Sequence, residues 1–172
     1  MGRRVSGLML SLIIVSMTLS GCISSKENSS NDDIDEAPEL ILPYFEKDGY
    51  RCFEHDGHER CWITYVPEIV NGSELVPLII DLHGWSLSAF EQREISGFDE
   101  IAEEYGAILL NPEGLALGGD PTTGGSEESW NAGWCCADAV ANDIDDLGFL
   151  NQLIDIAIEI HPVDPNRVYV TG

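Results

Sequence analysis

The alternation of apolar and polar positions divides the chain after residue 49 into a hairpin, buried strands and amphipathic helices. Two β-rich runs, Tyr50–His55 and His58–Val66, flank Asp56-Gly57, a pair that favours a two-residue hairpin turn. Short apolar runs, typical of strands covered on both faces, follow at Val76–Leu82, Ala107–Leu110 and Val168–Val170. The pattern predicts an antiparallel hairpin that leads into a mainly parallel sheet.

Two helical stripes lie between the predicted strands. The first comprises Phe98, Ile101, Ala102 and Tyr105. The second and longer stripe comprises Ile144, Leu147, Leu150, Ile154, Ala157 and Ile158. Asn142 or Asp143 is expected to cap the second helix, and His161-Pro162 to end it. Strands that alternate with helices in this way indicate an α/β fold with flanking helices.

The first 43 residues follow neither pattern. Residues 1–21 combine basic Arg3-Arg4 with an apolar run too short for a permanent span, which predicts an export signal by a general secretory or twin-arginine route. Leu19-Ser20-Gly21-Cys22 resembles the lipobox of prokaryotic lipoproteins, so Cys22 is expected to carry a membrane-anchoring lipid; the alternative is an ordinary secretory signal. Residues 22–43 are rich in Ser, Asn and Asp and predict a tether. A cell-surface domain over 44–172 would follow.

The charge of the chain excludes one class of partner. Its 31 acidic and 8 basic residues give a net charge of −23 at pH 7. Such a chain repels phosphate backbones and lacks the basic surface that nucleic-acid binding needs, so no nucleic acid is expected as a partner. The same charge suits a protein in high salt, where self-repulsion is screened.

The cysteine spacing predicts one disulfide. With Asp56-Gly57 as the turn, Cys52 lies opposite Cys61 in a non-hydrogen-bonded pair, about 4.5 Å apart at Cα, and a disulfide spans this distance. An exported protein is in an oxidising compartment. The alternative is two reduced thiols packed as small hydrophobes, because one slip of register destroys the geometry. Cys135 and Cys136 are then left to each other or unpaired, and no metal or cofactor is expected.

The strand that ends at Leu82 runs directly into His83-Gly84-Trp85. Open α/β sheets keep their sites at the carboxyl ends of strands. A glycine there lets the backbone turn so that its N–H groups face a ligand. The alternative is a tight turn in which the His83 imidazole caps local backbone groups.

Five motifs in order give this turn its context. They are Leu82-His83-Gly84, Asn111-Pro112-Glu113-Gly114, Ser129-Trp-Asn-Ala-Gly133 with Cys135-Cys136, Asp145-Asp-Leu-Gly-Phe-Leu150, and Asp164 to Gly172. From about Arg51 to Gly172 the chain resembles α/β-hydrolase esterases of the polyhydroxybutyrate depolymerase and feruloyl or acetylxylan esterase type. The resemblance implies the N-terminal part of an α/β-hydrolase fold. It also implies an oxyanion hole at His83, Gly84 and Trp85, with the Trp85 N–H as first donor.

The resemblance places the catalytic triad outside this sequence. In α/β-hydrolases the nucleophile lies in a Gly-x-Ser-x-Gly elbow after the strand that ends here in Thr171-Gly172, and the acid and histidine follow. The elbow motif does not occur in the 172 residues. We therefore expect no catalytic residue in this chain, a nucleophilic serine just beyond Gly172, and no activity from the 172 residues alone.

Four further residues are candidates for binding or structure. Trp130 and Trp134 lie in a long loop and are candidates to line a substrate pocket, although either one packing under its own loop is an equal alternative. Asp145 and Asp146 are interpreted as structural, because acidic residues in the first turn of a helix are stabilised by its dipole.

Three classes of function follow. The favoured hypothesis is a lipid-anchored, cell-surface serine esterase whose substrate is a polyester, or a hydroxycinnamoyl or acetyl ester of a polysaccharide. The alternative is a non-catalytic surface lipoprotein that uses an esterase-like partial fold as a binding module. Metal-assisted hydrolysis is disfavoured, because the sequence has no clustered set of metal ligands.

Overall fold

The computed structural model describes residues 42–123 and 127–172, and within these ranges it contains six strands and four helices. The strands are β1 Phe45–Lys47, β2 Tyr50–His55, β3 His58–Tyr65, β4 Val76–Asp81, β5 Ile108–Pro112 and β6 Val163–Thr171. The helices are α1 Ala89–Ser96, α2 Phe98–Tyr105, α3 Ala137–Ala141 and α4 Asp146–Ile160. The predicted export signal, Cys22 and nearly all of the tether lie outside the described residues and stay predictions.

All six strands form one sheet in the order β1-β2-β3-β5-β4-β6. The pairs β1–β2, β2–β3 and β3–β5 are antiparallel, whereas β4–β5 and β4–β6 are parallel. The sheet is therefore mixed, because the predicted antiparallel hairpin joins it through β3 and the parallel strands follow beyond β5. The α/β fold with flanking helices is confirmed.

The sheet is covered on both faces, as its apolar strands predicted. Leu78 and Ile80 point into one cluster, whose buried members from α4 are Phe149, Leu153, Ile156 and Ala157. Ile79, between them on β4, points the other way and packs with Ala102 of α2. Side chains alternate along a strand, so a central strand packed between two helical layers must be apolar at every position.

The predicted hairpin and its register are confirmed. Asp56 and Gly57 have φ angles of 50° and 77°, the left-handed values that a type I′ turn requires. Cys52 lies directly opposite Cys61 with a Cα separation of 4.1 Å, and the two form a disulfide. This bond is fully buried against Tyr50 and Ala89. The disulfide therefore packs the hairpin against the start of α1. The structure also joins Cys135 to Cys136.

Removing the hairpin disulfide is expected to lower the free energy of unfolding by about 2–3 kcal/mol, because the bond restricts a short loop in the unfolded chain. The test replaces Cys52 and Cys61 together by alanine in the natural full-length protein and measures urea unfolding. An unchanged midpoint in the double variant would contradict the prediction, as would a Cys52–Cys135 peptide in a non-reduced digest.

The two predicted helices form, but their buried faces differ from the predicted stripes. On α2, Ala102 is buried, whereas Ile101 and Tyr105 are 39% and 66% exposed. On α4 the buried face runs through Phe149, Leu153 and Ile156, and Leu147 of the predicted stripe is 76% exposed. The α4 sequence carries apolar residues on two adjacent stripes, so spacing alone did not decide which of them packs.

The start of α4 also corrects a prediction. Its N-cap is Asp145, not Asn142 or Asp143, because Asp143 has a left-handed φ of 51° and the chain is still turning there. The Asp145 carboxylate accepts the Gly148 N–H at 2.9 Å and lies 3.1 Å from His55 Nε2. The Gly148 bond, followed by His55, lowers the pKa of Asp145. The helix ends at His161 as predicted.

His161 makes the stability of the fold sensitive to acid. Its ring is partly buried, with Nε2 3.4 Å from Arg51 Nη1. Burial first, and then the Arg51 charge, lowers the pKa of His161 below its ordinary value of 6.5. The unfolded chain therefore binds this proton at a higher pH than the folded chain does, and stability falls as the pH falls below about 6.5.

Replacing His161 by glutamine is expected to make the free energy of unfolding depend less on pH below about 6.5. Urea unfolding of the wild-type protein and of His161→Gln at several pH values between 7.5 and 5 measures it, in roughly the interval where histidine titrates. We expect the variant to lose less stability than the wild type over that interval. Parallel losses in the two proteins would show that His161 does not contribute.

In the described ranges, the helices are too short or too polar to cross a bilayer.

Candidate active site

The carboxyl ends of three parallel strands meet at one edge of the sheet. β4, β5 and β6 end there, and His83-Gly84-Trp85 follows β4. The Leu82 N–H donates to the Thr171 carbonyl at 2.8 Å. A Cβ at Gly172 would lie 2.4 Å from the Leu82 carbonyl oxygen, so this approach requires glycine. The predicted oxyanion loop and the end of β6 are therefore in contact.

His83 is buried and hydrogen-bonded at both ring nitrogens. Nδ1 lies 2.8 Å from the Gly84 carbonyl oxygen, and Nε2 accepts the Gly114 N–H at 2.7 Å. A carbonyl oxygen only accepts, so the His83 proton in this arrangement is on Nδ1. The imidazole thus caps local backbone groups, as in the alternative interpretation of the sequence.

The same contacts orient the Trp85 N–H. The Gly84 carbonyl accepts from His83 Nδ1 and from the Leu87 N–H, at 2.8 Å and 3.1 Å. The C=O and the following N–H of a trans peptide point in opposite directions, so fixing the Gly84 oxygen also fixes the Trp85 N–H. Across residues 42–123 and 127–172, this N–H has no hydrogen-bond acceptor. An oriented, unused donor at this edge is what an oxyanion hole needs.

Glu113 is a buried carboxylate that connects the loop to the rest of the fold. Its Oε2 accepts the N–H of Ala89, at the start of α1, at 2.9 Å. Its Oε1 lies 3.0 Å from His83 Nε2. Tyr50 lies near this carboxylate, and burial first, followed by the Glu113 charge, raises the pKa of Tyr50 to about 12. The sequence showed Glu113 only as part of a motif.

Gly114, the residue after Glu113, lies where no side chain fits. A Cβ there would be 2.8 Å from the Ser129 carbonyl oxygen and 3.0 Å from the His83 ring. Leu115 and Ser129 form an antiparallel bridge directly beside it. The glycine therefore lets the 129–130 segment and His83 approach the same backbone.

Trp130 and Trp134 have different surroundings. The Trp130 indole N–H donates to the His83 carbonyl at 2.9 Å, and its ring stacks near Phe149 with an interplanar angle of 12°. Trp134 is 88% exposed. Trp130 thus holds the backbone of the candidate loop in place through its bond to the His83 carbonyl. A substrate contact by either tryptophan remains a prediction.

A buried ion pair holds the segment that carries Trp130. Arg60 Nη2 donates to Asp146 Oδ1 at 2.6 Å, and the other Asp146 oxygen accepts the Asn131 N–H at 2.6 Å. The Arg60 guanidinium lies 4.0 Å from the centre of the Phe149 ring. Burial lowers the pKa of Arg60, and Asp146 opposes that shift. Asp146 is structural as predicted, although it acts through this pair as well as through its place in the helix.

A cleft of about 160 Å³ opens between the hairpin turn and residues 115–121. Three acidic residues are among those that line it, namely Glu59, Asp120 and Glu128. Lys47 bridges the first two, at 2.7 Å and 3.0 Å. The Ser86 N–H donates to the Glu128 carbonyl at 3.0 Å, which ties the candidate loop to the wall of the cleft.

One cluster in the described part of the chain has metal-ligand spacing, formed by Cys52, Glu59 and Cys61. Because its two sulfurs are bonded to each other, the cluster offers no thiolate to a metal.

The chain is similar to one curated protein in sequence and to several solved proteins in structure, although no protein-family model matches it. It is 30% identical over 110 residues to feruloyl esterase B of Piromyces equi, and this match covers 64% of the chain but only 18% of that protein. Its structure is similar to that of native sOPH, with a TM-score of 0.57, 20% identity and coverage of 77% of this chain and 44% of the other.

An S-formylglutathione hydrolase from Agrobacterium tumefaciens has a related structure, with a TM-score of 0.51 and 17% identity. The likeness covers 74% of this chain and 50% of the hydrolase. The likeness in structure shows an α/β-hydrolase fold. The chain spans half or less of the length of each of these relatives.

Proposed function

We propose that this chain forms the N-terminal part of a serine carboxylic-ester hydrolase, in which the Trp85 N–H is one oxyanion donor. The observation that carries the proposal is this unused N–H, which is oriented through Gly84 in the loop whose first residue, Leu82, contacts the end of β6. In the α/β-hydrolase fold the nucleophile elbow follows the equivalent strand, so a serine just after Gly172 would enter the same space.

The proposed reaction uses the serine hydroxyl as nucleophile. A histidine takes its proton as the oxygen attacks the ester carbonyl, and the carbonyl oxygen becomes an oxyanion that accepts the Trp85 N–H. Collapse of this intermediate breaks the ester bond, and the histidine returns the proton to the leaving alcohol. Water then hydrolyses the acyl-enzyme, which releases the acid and restores the serine.

The proposed substrate is a carboxylic ester. The sequence similarity to feruloyl esterase B favours a hydroxycinnamoyl ester of a polysaccharide, and polyesters and acetylated polysaccharides are the other members of the class. We further propose that the enzyme acts at the cell surface, held to the membrane by a lipid on Cys22.

Replacing Cys22 by serine is expected to release the protein from the membrane fraction. A single acyl chain binds membranes only marginally, so retention requires the full lipid modification that the cysteine sulfur begins. Cell fractionation followed by mass analysis of the N-terminus measures the effect. Lipid anchoring is wrong if both proteins remain equally in the pellet with an uncleaved signal.

The proposed function is tested on the natural full-length protein. Its coding sequence should continue from Gly172 into Gly-x-Ser-x-Gly, with an acid and then a histidine further along. The product should hydrolyse 4-nitrophenyl acetate and lose that activity with a serine-directed phosphonate or with serine replaced by alanine. The 172-residue piece is the matched control and should aggregate and show no turnover, because β6 would lack further cover.

Two results would overturn the esterase proposal. One is a coding sequence with no serine in the elbow position. The other is saturable ester hydrolysis by the 172-residue piece, since it lacks the proposed nucleophile. A folded full-length protein that binds polyester or polysaccharide without turnover would instead establish the binding module.

A further inference from the structure

The loop between β3 and β4 contains a motif that the proposed function does not use. Asn71-Gly72-Ser73 matches Asn-x-Ser, the acceptor sequence for N-linked glycosylation in exported proteins. The same pattern occurs once more, at Asn28-Ser29-Ser30, which lies outside the described residues. So short a pattern also arises by chance, and its surroundings in the fold decide whether it can serve as an acceptor.

The fold presents the Asn71 amide nitrogen to solvent. Residues 71–75 are all exposed. Asn71 Oδ1 accepts the Ser73 N–H at 3.0 Å, and this bond holds the side chain across the triplet. Over residues 42–123 and 127–172, Nδ2 of the same amide has no acceptor. The atom to which N-linked sugars are attached is therefore accessible in the folded protein.

An apolar cleft of about 310 Å³ lies beside this amide. Its lining includes Asn71 itself together with Ile69, Leu75 and Tyr105. The three apolar side chains are between 56% and 66% exposed. Large apolar side chains that are exposed together mark a surface that a partner covers. A sugar ring offers C–H faces to such side chains and hydroxyl groups to polar neighbours such as Glu104, which also lines the cleft.

The position of the cleft leaves the candidate active site open. Val76 and Gly106 also line the cleft, and they lie at the amino ends of β4 and β5. The oxyanion loop follows the carboxyl end of β4, and the six residues of that strand span about 20 Å. A group attached to Asn71 therefore lies at the opposite edge of the sheet from Trp85.

We propose that Asn71 carries an N-linked oligosaccharide whose first sugars lie over the apolar cleft beside Tyr105. The donor is an oligosaccharide joined through a phosphate or diphosphate to a polyisoprenyl lipid, and a transferase outside the cytoplasmic membrane uses it. Asn71 Nδ2 forms a bond to C1 of the first sugar and loses one proton. The bond from C1 to the phosphate oxygen breaks, and the lipid phosphate leaves with the electron pair.

The modification is compatible with the contacts of the loop. The side chain remains an amide, so the Ser73 N–H keeps its acceptor at Asn71 Oδ1. The inference requires export of the protein, which is itself proposed, and it does not require ester hydrolysis.

The test uses the natural full-length protein produced in its natural host, and mass spectrometry of a proteolytic digest locates any added sugar. We expect sugar on Asn71 in the wild type and in Ser73→Thr, which keeps the acceptor sequence. We expect none on Asn71 in Ser73→Ala, which destroys that sequence. Asn151→Gln, which replaces an exposed asparagine of α4 outside any such triplet, is the matched control and should leave the sugar in place.

An unmodified Asn71 in protein with a cleaved signal overturns the proposal, whether or not Asn28 is modified. Sugar that remains on Asn71 in Ser73→Ala also overturns it, because the acceptor sequence would then not direct the reaction. A protein that keeps its signal and lacks the sugar contradicts the proposed export together with this inference. The state of the signal thus distinguishes the two failures.

A second measurement tests where the sugar lies. Hydroxyl-radical labelling of Tyr105 should be weaker in the wild type than in Asn71→Gln, because the glycan covers the ring. Labelling of Phe90, an exposed aromatic residue on α1 that does not line the cleft, should be the same in both proteins. Equal labelling of Tyr105 in the two proteins would rule out a glycan placed over the cleft.

Discussion

Replacing Asp146 by alanine is expected to lower the free energy of unfolding by about 3–5 kcal/mol, because removing one partner of a buried ion pair leaves the other charge uncompensated. Arg60 is 1% exposed and would keep its guanidinium inside the core. The Asn131 N–H would lose its acceptor as well. We therefore expect the loop around Trp130 to loosen together with the global loss of stability.

Urea unfolding of the natural full-length protein measures this effect. Asp99→Ala is the matched control, since Asp99 forms an ion pair with Arg93 that is partly open to solvent, and a much smaller loss is expected there. Replacing Arg60 by methionine in the Asp146→Leu background should recover most of the stability. Equal losses for Asp146→Ala and Asp99→Ala would contradict the role of burial.

Replacing Trp85 by proline is expected to lower kcat for ester hydrolysis by about 100–1000-fold, because proline has no N–H to offer the oxyanion. Trp85→Ala is the matched control. It removes the indole, which is 61% exposed, but keeps the backbone donor. We expect Trp85→Ala to keep most of its kcat, so the two variants separate the backbone from the side chain.

The comparison requires that proline leaves the loop in place. Hydrogen exchange at the Leu87 amide and the thermal midpoint should match between the two Trp85 variants. With those controls equal, similar kcat values for proline and alanine would contradict the oxyanion role of the Trp85 N–H. A loss of kcat with alanine alone would instead assign the role to the indole.

The sequence predicted those parts of the fold that depend on neighbouring residues. The Asp56-Gly57 turn sets the hairpin register, and the register places Cys52 opposite Cys61. Helix α1 was not predicted, because its apolar residues form no clear stripe, although Ser88 and Glu91 form a capping box that is a local sequence signal for its start. The short β1 and α3 have too few residues for a periodic signal.

The sequence predicted where the candidate site lies, but it did not predict the residues that hold the site in place. The rule that α/β sheets keep their sites at strand ends selects His83-Gly84-Trp85. Glu113 and Asp146 act through partners far away in sequence, and Arg60 and Asp146 are 86 residues apart. The sequence did contain one signal for this ion pair. Arg60 directly precedes the cystine residue Cys61 in a strand, and an arginine that is buried in a strand needs a buried acidic partner.

The strand order of the sheet has a consequence for how the chain folds. The β2–β3 hairpin is local and can form within about 1–10 μs. Strand β4, however, joins the hairpin only through β5, which follows it in the chain. Until β5 has emerged, the apolar segment Leu78–Ile80 therefore has no edge to pair with, and it is the stretch of the nascent chain that we expect a chaperone to cover.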